Sequence, residues 1–167
     1  MKDTDFRSRF PSAADSPGFL LWKAANLHQR LQRLALSPLA ISPTQFSVLA
    51  CFFHLSRERG GPVSQAEVAE YASLDKMVVS DAARALLSKG LILRRRSQAD
   101  GRAFQIELTG QGVETCNQAL AIIEATDAGF FSRSGDVQTV LQLLKRLTDV
   151  PAREEETPQC SRDRRQA

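Results

Sequence analysis

Between Asp75 and Arg102 the chain gathers side chains suited to one kind of chemistry, the binding of a polyanion. Lys76, Arg84, Lys89, Arg94, Arg95, Arg96 and Arg102 stand against three acids, Asp75, Asp81 and Asp100. That stretch carries four excess positive charges; the whole chain of 167 residues sums to +3, so the remainder is left at −1. A basic stripe on a nearly neutral body is the electrostatic footprint of a face that contacts phosphates. The competing reading of the same residues is a solvated, charged hairpin.

Covalent chemistry is poorly served. The sequence has no phosphate-binding loop, no metal-dense motif and no Ser-His-acid set, and its two histidines, His28 and His54, fall in helical segments without an evident carboxylate partner. The expectation is a protein that is not an enzyme and needs no metal or cofactor. Cys51 and His54 lie three apart on one helix, a spacing that can supply two metal ligands, but no third presents itself. Cys51, Cys116 and Cys160 are odd in number and show no paired spacing, which fits reduced thiols. The opening M-K-D-T-D-F-R-S-R-F lacks the apolar core of a secretory signal, and no run approaches the roughly 18 apolar residues of a membrane span. A cytoplasmic protein with no membrane partner is expected.

The elements that must carry the basic residues follow from periodicity and caps. Hydrophobic residues make up 43% of the chain, enough for a real core. Residues 1–15 are polar and aperiodic and read as a flexible arm. Ser16-Pro17 opens a first helix, with Leu20, Ala24, Leu27, Leu31 and Leu34 forming a seam suited to packing on another helix. Ser42-Pro43 opens a second, apolar on more than one face through Phe46, Val48, Leu49, Phe52, Phe53 and Leu55, and Gly60-Gly61-Pro62 breaks it. Ser64 with Glu67 forms a capping box for a short third helix that turns Val68, Ala69 and Ala72 inward. Asp75 caps the fourth. Val79, Ala82, Ala83 and Leu86 share its inner face, which leaves Lys76, Met77, Ser80, Asp81 and Arg84 wholly or partly outward and Val78 at the margin.

Gly90 ends that helix with a left-handed cap. Leu91 to Arg96 then reads as a strand, Asp100-Gly101 as a bend, and Phe104, Ile106 and Leu108 as the half-buried face of the returning strand. Thr109 begins a fifth helix with Val113, Cys116, Leu120, Ile123 and Phe130 on one face, and a last helix runs from about Ser134 with Val137, Val140, Leu141, Leu144 and Leu147. Residues 151–167 have no apolar face and read as a disordered tail. The fold class is therefore mainly α (α+β): a winged helix-turn-helix over 42–109 with a two-stranded hairpin wing, flanked by extra helices over 16–37 and 110–150. The apolar seams of those extra helices need a partner. A second copy is the economical one, because a twofold dimer sets two reading helices about one turn of duplex apart and selects palindromic sites; an internal helical bundle is the alternative.

Six segments in order resemble the MarR family of bacterial transcription regulators: G-F-L-L-W-K-A-A-N at 18–26, I-S-P-T-Q-F-S-V-L at 41–49, L-D-K-M-V-V-S at 74–80, K-G-L-I-L-R at 89–94, D-G-R at 100–102 and L-T-G-Q-G at 108–112. The resemblance spans about Ser16 to Asp149. It implies a homodimer joined through the first and last two helices, two winged lobes on palindromic promoter DNA, and in many members repression relieved by a small aromatic or phenolic anion; other members sense oxidants through cysteine.

That family pattern carries base reading onto Lys76, Met77, Val78, Ser80, Asp81 and Arg84. Lys76 and Arg84 can reach phosphate or guanine, Ser80 a base edge or phosphate, and Met77 and Val78 thymine methyls. Asp81 departs from the family, where a basic or polar residue is common; it either accepts from cytosine N4 or pairs with Arg84 at i,i+3. Arg102 resembles the wing arginine, suited to a narrow minor groove. Arg96 is placed near DNA with it, while Asp100 and Arg94 orient the wing. Thr44 and Gln45 at a helix start are phosphate candidates. Ser64 and Gln65 are too, with capping as the rival role.

For the effector, the resemblance suggests a pocket with Trp22, His28 and His54 as lining candidates, although core packing would equally account for Trp22 and solvent exposure for His28. Cys51 is the redox candidate. Its neighbours Ala50, Phe52 and Phe53 include no base to stabilise a thiolate, which favours small-molecule control. A winged module that binds protein rather than DNA is the remaining rival, because Met77, Val78 and Asp81 make the reading helix less basic than usual.

Overall fold

A polar side chain starts each α-helix among the described residues. The computed structural model describes residues 8–96 and 104–149. Within them Ser16 caps α1 (Pro17–Ala35), Ser42 caps α2 (Pro43–Arg59), Ser64 caps α3 (Gln65–Tyr71) and Asp75 caps α4 (Lys76–Ser88). Both Ser42 with Gln45 and Ser64 with Glu67 close full capping boxes, each serine hydroxyl accepting from the third-residue amide while that residue's side chain accepts from the cap amide. Strands β1 (Ile92–Arg96) and β2 (Phe104–Leu108) pair antiparallel, with Ile92 opposite Leu108 and Arg96 opposite Phe104. Helices α5 (Gly110–Phe131) and α6 (Val137–Thr148) complete the order. The last helix starts at Val137 rather than near Ser134, because Ser132–Ser134 form a separate 3-10 turn and Asp136 supplies the cap. Ala13–Asp15 likewise form a 3-10 turn, capped by Ser12, ahead of α1.

The core gathers Leu36, Val48, Leu49, Phe52, Val63, Val68, Val79, Leu86, Ile92 and Ile106, all essentially without solvent contact. On α4 the buried set is Val79, Ala82, Ala83 and Leu86, the face expected from the spacing. Val63 adds a one-residue third strand: its amide donates to the Ile106 carbonyl at 3.2 Å and its carbonyl accepts from the Ile106 amide at 2.7 Å. That pairing ties the approach to α3 onto the hairpin. On α5 the inner face is Gly112, Cys116, Ala119 and Ile123, a line rotated from the expected one, and Leu120 points to solvent. Small residues at 112 and 119 allow close packing there. A β-carbon on Gly112 would fall 1.9 Å from the Leu91 carbonyl oxygen.

The chain divides into two compact units, residues 1–128 and 129–167. In the first, α1 has no buried residue and leaves Phe19, Leu20, Leu21, Trp22, Leu27 and Leu34 exposed. In the second, α6 has none either and exposes Val137, Leu141, Leu143 and Leu147. No helix among the described residues is long and apolar enough to cross a membrane. The bend at Asp100-Gly101, Arg102, Cys160, residues 1–7 of the arm and the tail lie outside the described residues.

Candidate nucleic-acid interface

Helix α4 is aimed by the turn before it. Ser73 takes a left-handed conformation (φ 49°), the Leu74 amide donates back to the Ala69 carbonyl at 2.9 Å, and Asp75 Oδ1 accepts from the Met77 amide at 2.7 Å. With Val79, Ala82, Ala83 and Leu86 committed to the core, the opposite face must meet solvent. Met77 is 67% exposed; Lys76, Val78, Asp81 and Arg84 are exposed with it, and Ser80 is half-buried. Arg84 Nη1 donates to Asp81 Oδ1 at 3.0 Å, so the i,i+3 pair is formed.

The start of α2 lies beside this face. Ser42, Thr44 and Gln45 join Val78, Asp81 and Ala82 around an open groove of about 290 Å³. Thr44 is exposed. Gln45 Oε1 accepts from the Ser42 amide at 3.2 Å and from Lys89 Nζ at 3.2 Å, and Lys89 also donates to the Ala40 carbonyl. Two donors on one amide oxygen fix the orientation of the group and leave its NH2 end as a donor. Sequence reasoning missed Lys89 here, since the residues it bridges are more than forty positions away. Ser64 is occupied as a cap: its hydroxyl accepts from the Glu67 amide at 3.2 Å, and Glu67 in turn pairs with Arg59. Gln65 is half-buried beside it.

On the hairpin the three arginines divide. The Arg94 guanidinium lies 3.6 Å from the centre of the Phe104 ring, a cation–π contact. Phe104 is therefore not the buried end of the returning strand; it stands exposed as a platform for Arg94. Arg95, on the opposite face, pairs with Glu107. Arg96 is exposed at the described end of β1. Asp100 and Arg102 lie outside the described residues.

The effector candidates have three separate sets of partners. Trp22 is 62% exposed and packs on Phe19 with ring centres 5.7 Å apart, so core packing does not hold for it within one chain. Both histidines have carboxylate partners, contrary to expectation. His28 is half-buried, its Nε2 2.7 Å from Asp127 Oδ1 on α5, with the Gln32 amide at 3.4 Å. The long separation between α1 and α5 hid that pair. His54 Nε2 lies 3.2 Å from Glu58 one turn on, a legible i,i+4 spacing, and its ring stacks on Tyr71 at 5.5 Å. Cys51 is half-buried and burial pushes its thiol pKa up. Cys116 is raised by burial and then by the nearby Cys51.

Comparison with known proteins decides the family. A family model described as MarR matches residues 41–104. The HTH-type transcriptional regulator YdcH of Bacillus subtilis is 33% identical over 144 residues, covering 86% of this chain and 97% of the relative. The chain belongs to the MarR family. A cysteine-to-serine variant of MarR from E. coli, solved in complex with operator DNA, superposes with a TM-score of 0.69 at 25% identity over 78% of this chain and 92% of that one. CouR from Rhodococcus jostii, solved bound to p-coumaroyl-CoA, does so with a TM-score of 0.69 at 26% identity over 82% and 92%. As a MarR-family winged-helix protein, the chain is a DNA-binding transcriptional regulator.

Proposed function

We propose that this chain acts as a homodimeric repressor that reads a palindromic duplex operator and lets go of it when a small aromatic or phenolic anion binds. The observation that carries the DNA reading is the outward face of α4 set beside the α2 start, with an arginine-bearing hairpin following in sequence. Lys76, Met77, Val78, Ser80, Asp81 and Arg84 face the bases; Thr44, the Gln45 amide and Arg96 meet phosphate; Arg102 enters the minor groove from the wing. Ser64 and Gln65 serve by anchoring α3. The exposed apolar residues of α1, and those of α6, support a second copy as the partner. The complex of CouR with an aromatic acyl thioester supports an aromatic, anionic effector. Burial of Cys51 supports ligand over thiol control, because the reactive species is the thiolate.

The test is fluorescence anisotropy with the intergenic DNA upstream of the protein's own gene, titrated over salt. Arg102→Ala is expected to weaken binding and to lower the slope of log K against log salt by about one ion per protomer. Unchanged affinity and slope would remove the wing from the interface. In a transcription assay on the same DNA, the protein lowers output and aromatic carboxylates restore it.

A further inference from the structure

The acid on the reading face of α4 is the feature least suited to a polyanion. Asp81 is a side chain 62% exposed, paired at 3.0 Å with Arg84, itself 73% exposed. An exposed pair of this kind contributes little to stability, so its carboxylate can be turned to binding at little cost to the fold. Only Oδ1 is used by Arg84; among the described residues Oδ2 has no hydrogen-bond partner. Asp81 also lines the groove toward the α2 start, next to Val78. It is thus an exposed acceptor with one oxygen unused, flanked by an apolar side chain and a guanidinium with donors to spare.

Major-groove edges offer two amino donors, cytosine N4 and adenine N6. Beside adenine N6 lies the N7 acceptor, which repels a carboxylate. Cytosine N4 has a C–H neighbour instead, and its paired guanine turns O6 and N7 outward, where the remaining Arg84 donors fit. Resting on the DNA-reading function proposed above, we propose that Asp81 is the specificity-determining residue of α4: its free oxygen accepts from the amino group of one cytosine in each half-site, and its charge penalises duplexes that lack it. The Asp81–Arg84 pair then reads one C·G base pair as a unit. On a duplex without that cytosine the carboxylate faces phosphates and acceptors with only the exposed Arg84 to offset its charge.

The experiment selects duplexes from a random-sequence pool with the full-length chain and with Asp81→Asn and Asp81→Ala. Both substitutions fall on an exposed side chain, and circular dichroism checks their folding. The wild-type pool is expected to hold a fixed C·G pair at one symmetric position. Asp81→Asn moves that position toward adenine, whose N6 and N7 an amide can bond together, and Asp81→Ala leaves it without preference. Both variants also bind a scrambled duplex of equal length about tenfold more tightly at one salt concentration, as loss of one repelling charge per protomer implies. Enrichment of the same base by wild type and variants, or unchanged affinity for the scrambled duplex, overturns the assignment while leaving DNA reading intact. A wild-type pool with no enriched sequence overturns both.

Discussion

Cys51 illustrates how a residue's surroundings decide its chemistry. A thiol becomes a sensor through its thiolate, and a thiolate needs water or a positive neighbour. Cys51 has burial instead, which raises its pKa, and Cys116 is raised further by the nearness of Cys51. Since the folded pKa lies above the unfolded one, both thiols stay protonated at neutral pH. The stability this contributes is complete below the ordinary thiol pKa and is lost as pH climbs through the raised folded value. Alkylation of Cys51 by iodoacetamide at pH 8 is accordingly expected to be at least about tenfold slower in the folded protein than in urea. Equal rates in the two states, followed by mass spectrometry, would return Cys51 to candidacy as a redox switch.

At the level of elements, the joint between α4, the hairpin and α5 sets where the reading face and the wing stand relative to each other. The Leu91 carbonyl is its centre: it accepts from the Thr109 amide at 3.1 Å and hydroxyl at 3.2 Å, and Gly112 packs against it. The Thr109 hydroxyl also accepts from the Gly112 amide at 2.9 Å, starting α5. Because the added methyl of Gly112→Ala meets backbone rather than a movable side chain, the variant is expected to lose about 1–3 kcal/mol of stability, as overpacked positions do. A urea midpoint equal to wild type would show that α5 can shift at no cost. Gly110, with open space around it, is the matched control.

For the whole molecule the proposed dimer rests on the apolar surface of α1. Leu27 is 39% exposed in a single chain, and Leu20 and Leu34, one heptad before and after it, are more so. If a second copy covers this seam, Leu27→Glu places carboxylates in or near a twofold interface, where their desolvation and repulsion oppose association. Size-exclusion chromatography with light scattering is expected to report a monomer, and operator affinity to fall by about a hundredfold as the linked second half-site is lost. A variant that keeps the wild-type mass would place the interface elsewhere.

Local signals carried much of the architecture. Serine-proline starts, the two capping boxes, the Asp75 cap and the four-residue inner face of α4 all depend on neighbours within about one or two turns, so periodicity and side-chain type sufficed to place them. The order of these segments, together with the basic stretch after Asp75, made the family and its DNA-binding character legible before any coordinates. What folding alone decided are contacts between residues far apart in the chain. Asp127 meets His28, Lys89 orients Gln45, Val63 joins Ile106 in the sheet, and Cys51 comes near Cys116. The rotated inner face of α5 belongs with them, because several faces of that helix are apolar and only the close approach of Gly112 to Leu91 selects one. A sequence states which side chains can pair; distance in three dimensions, set by packing of the core, determines which of them do.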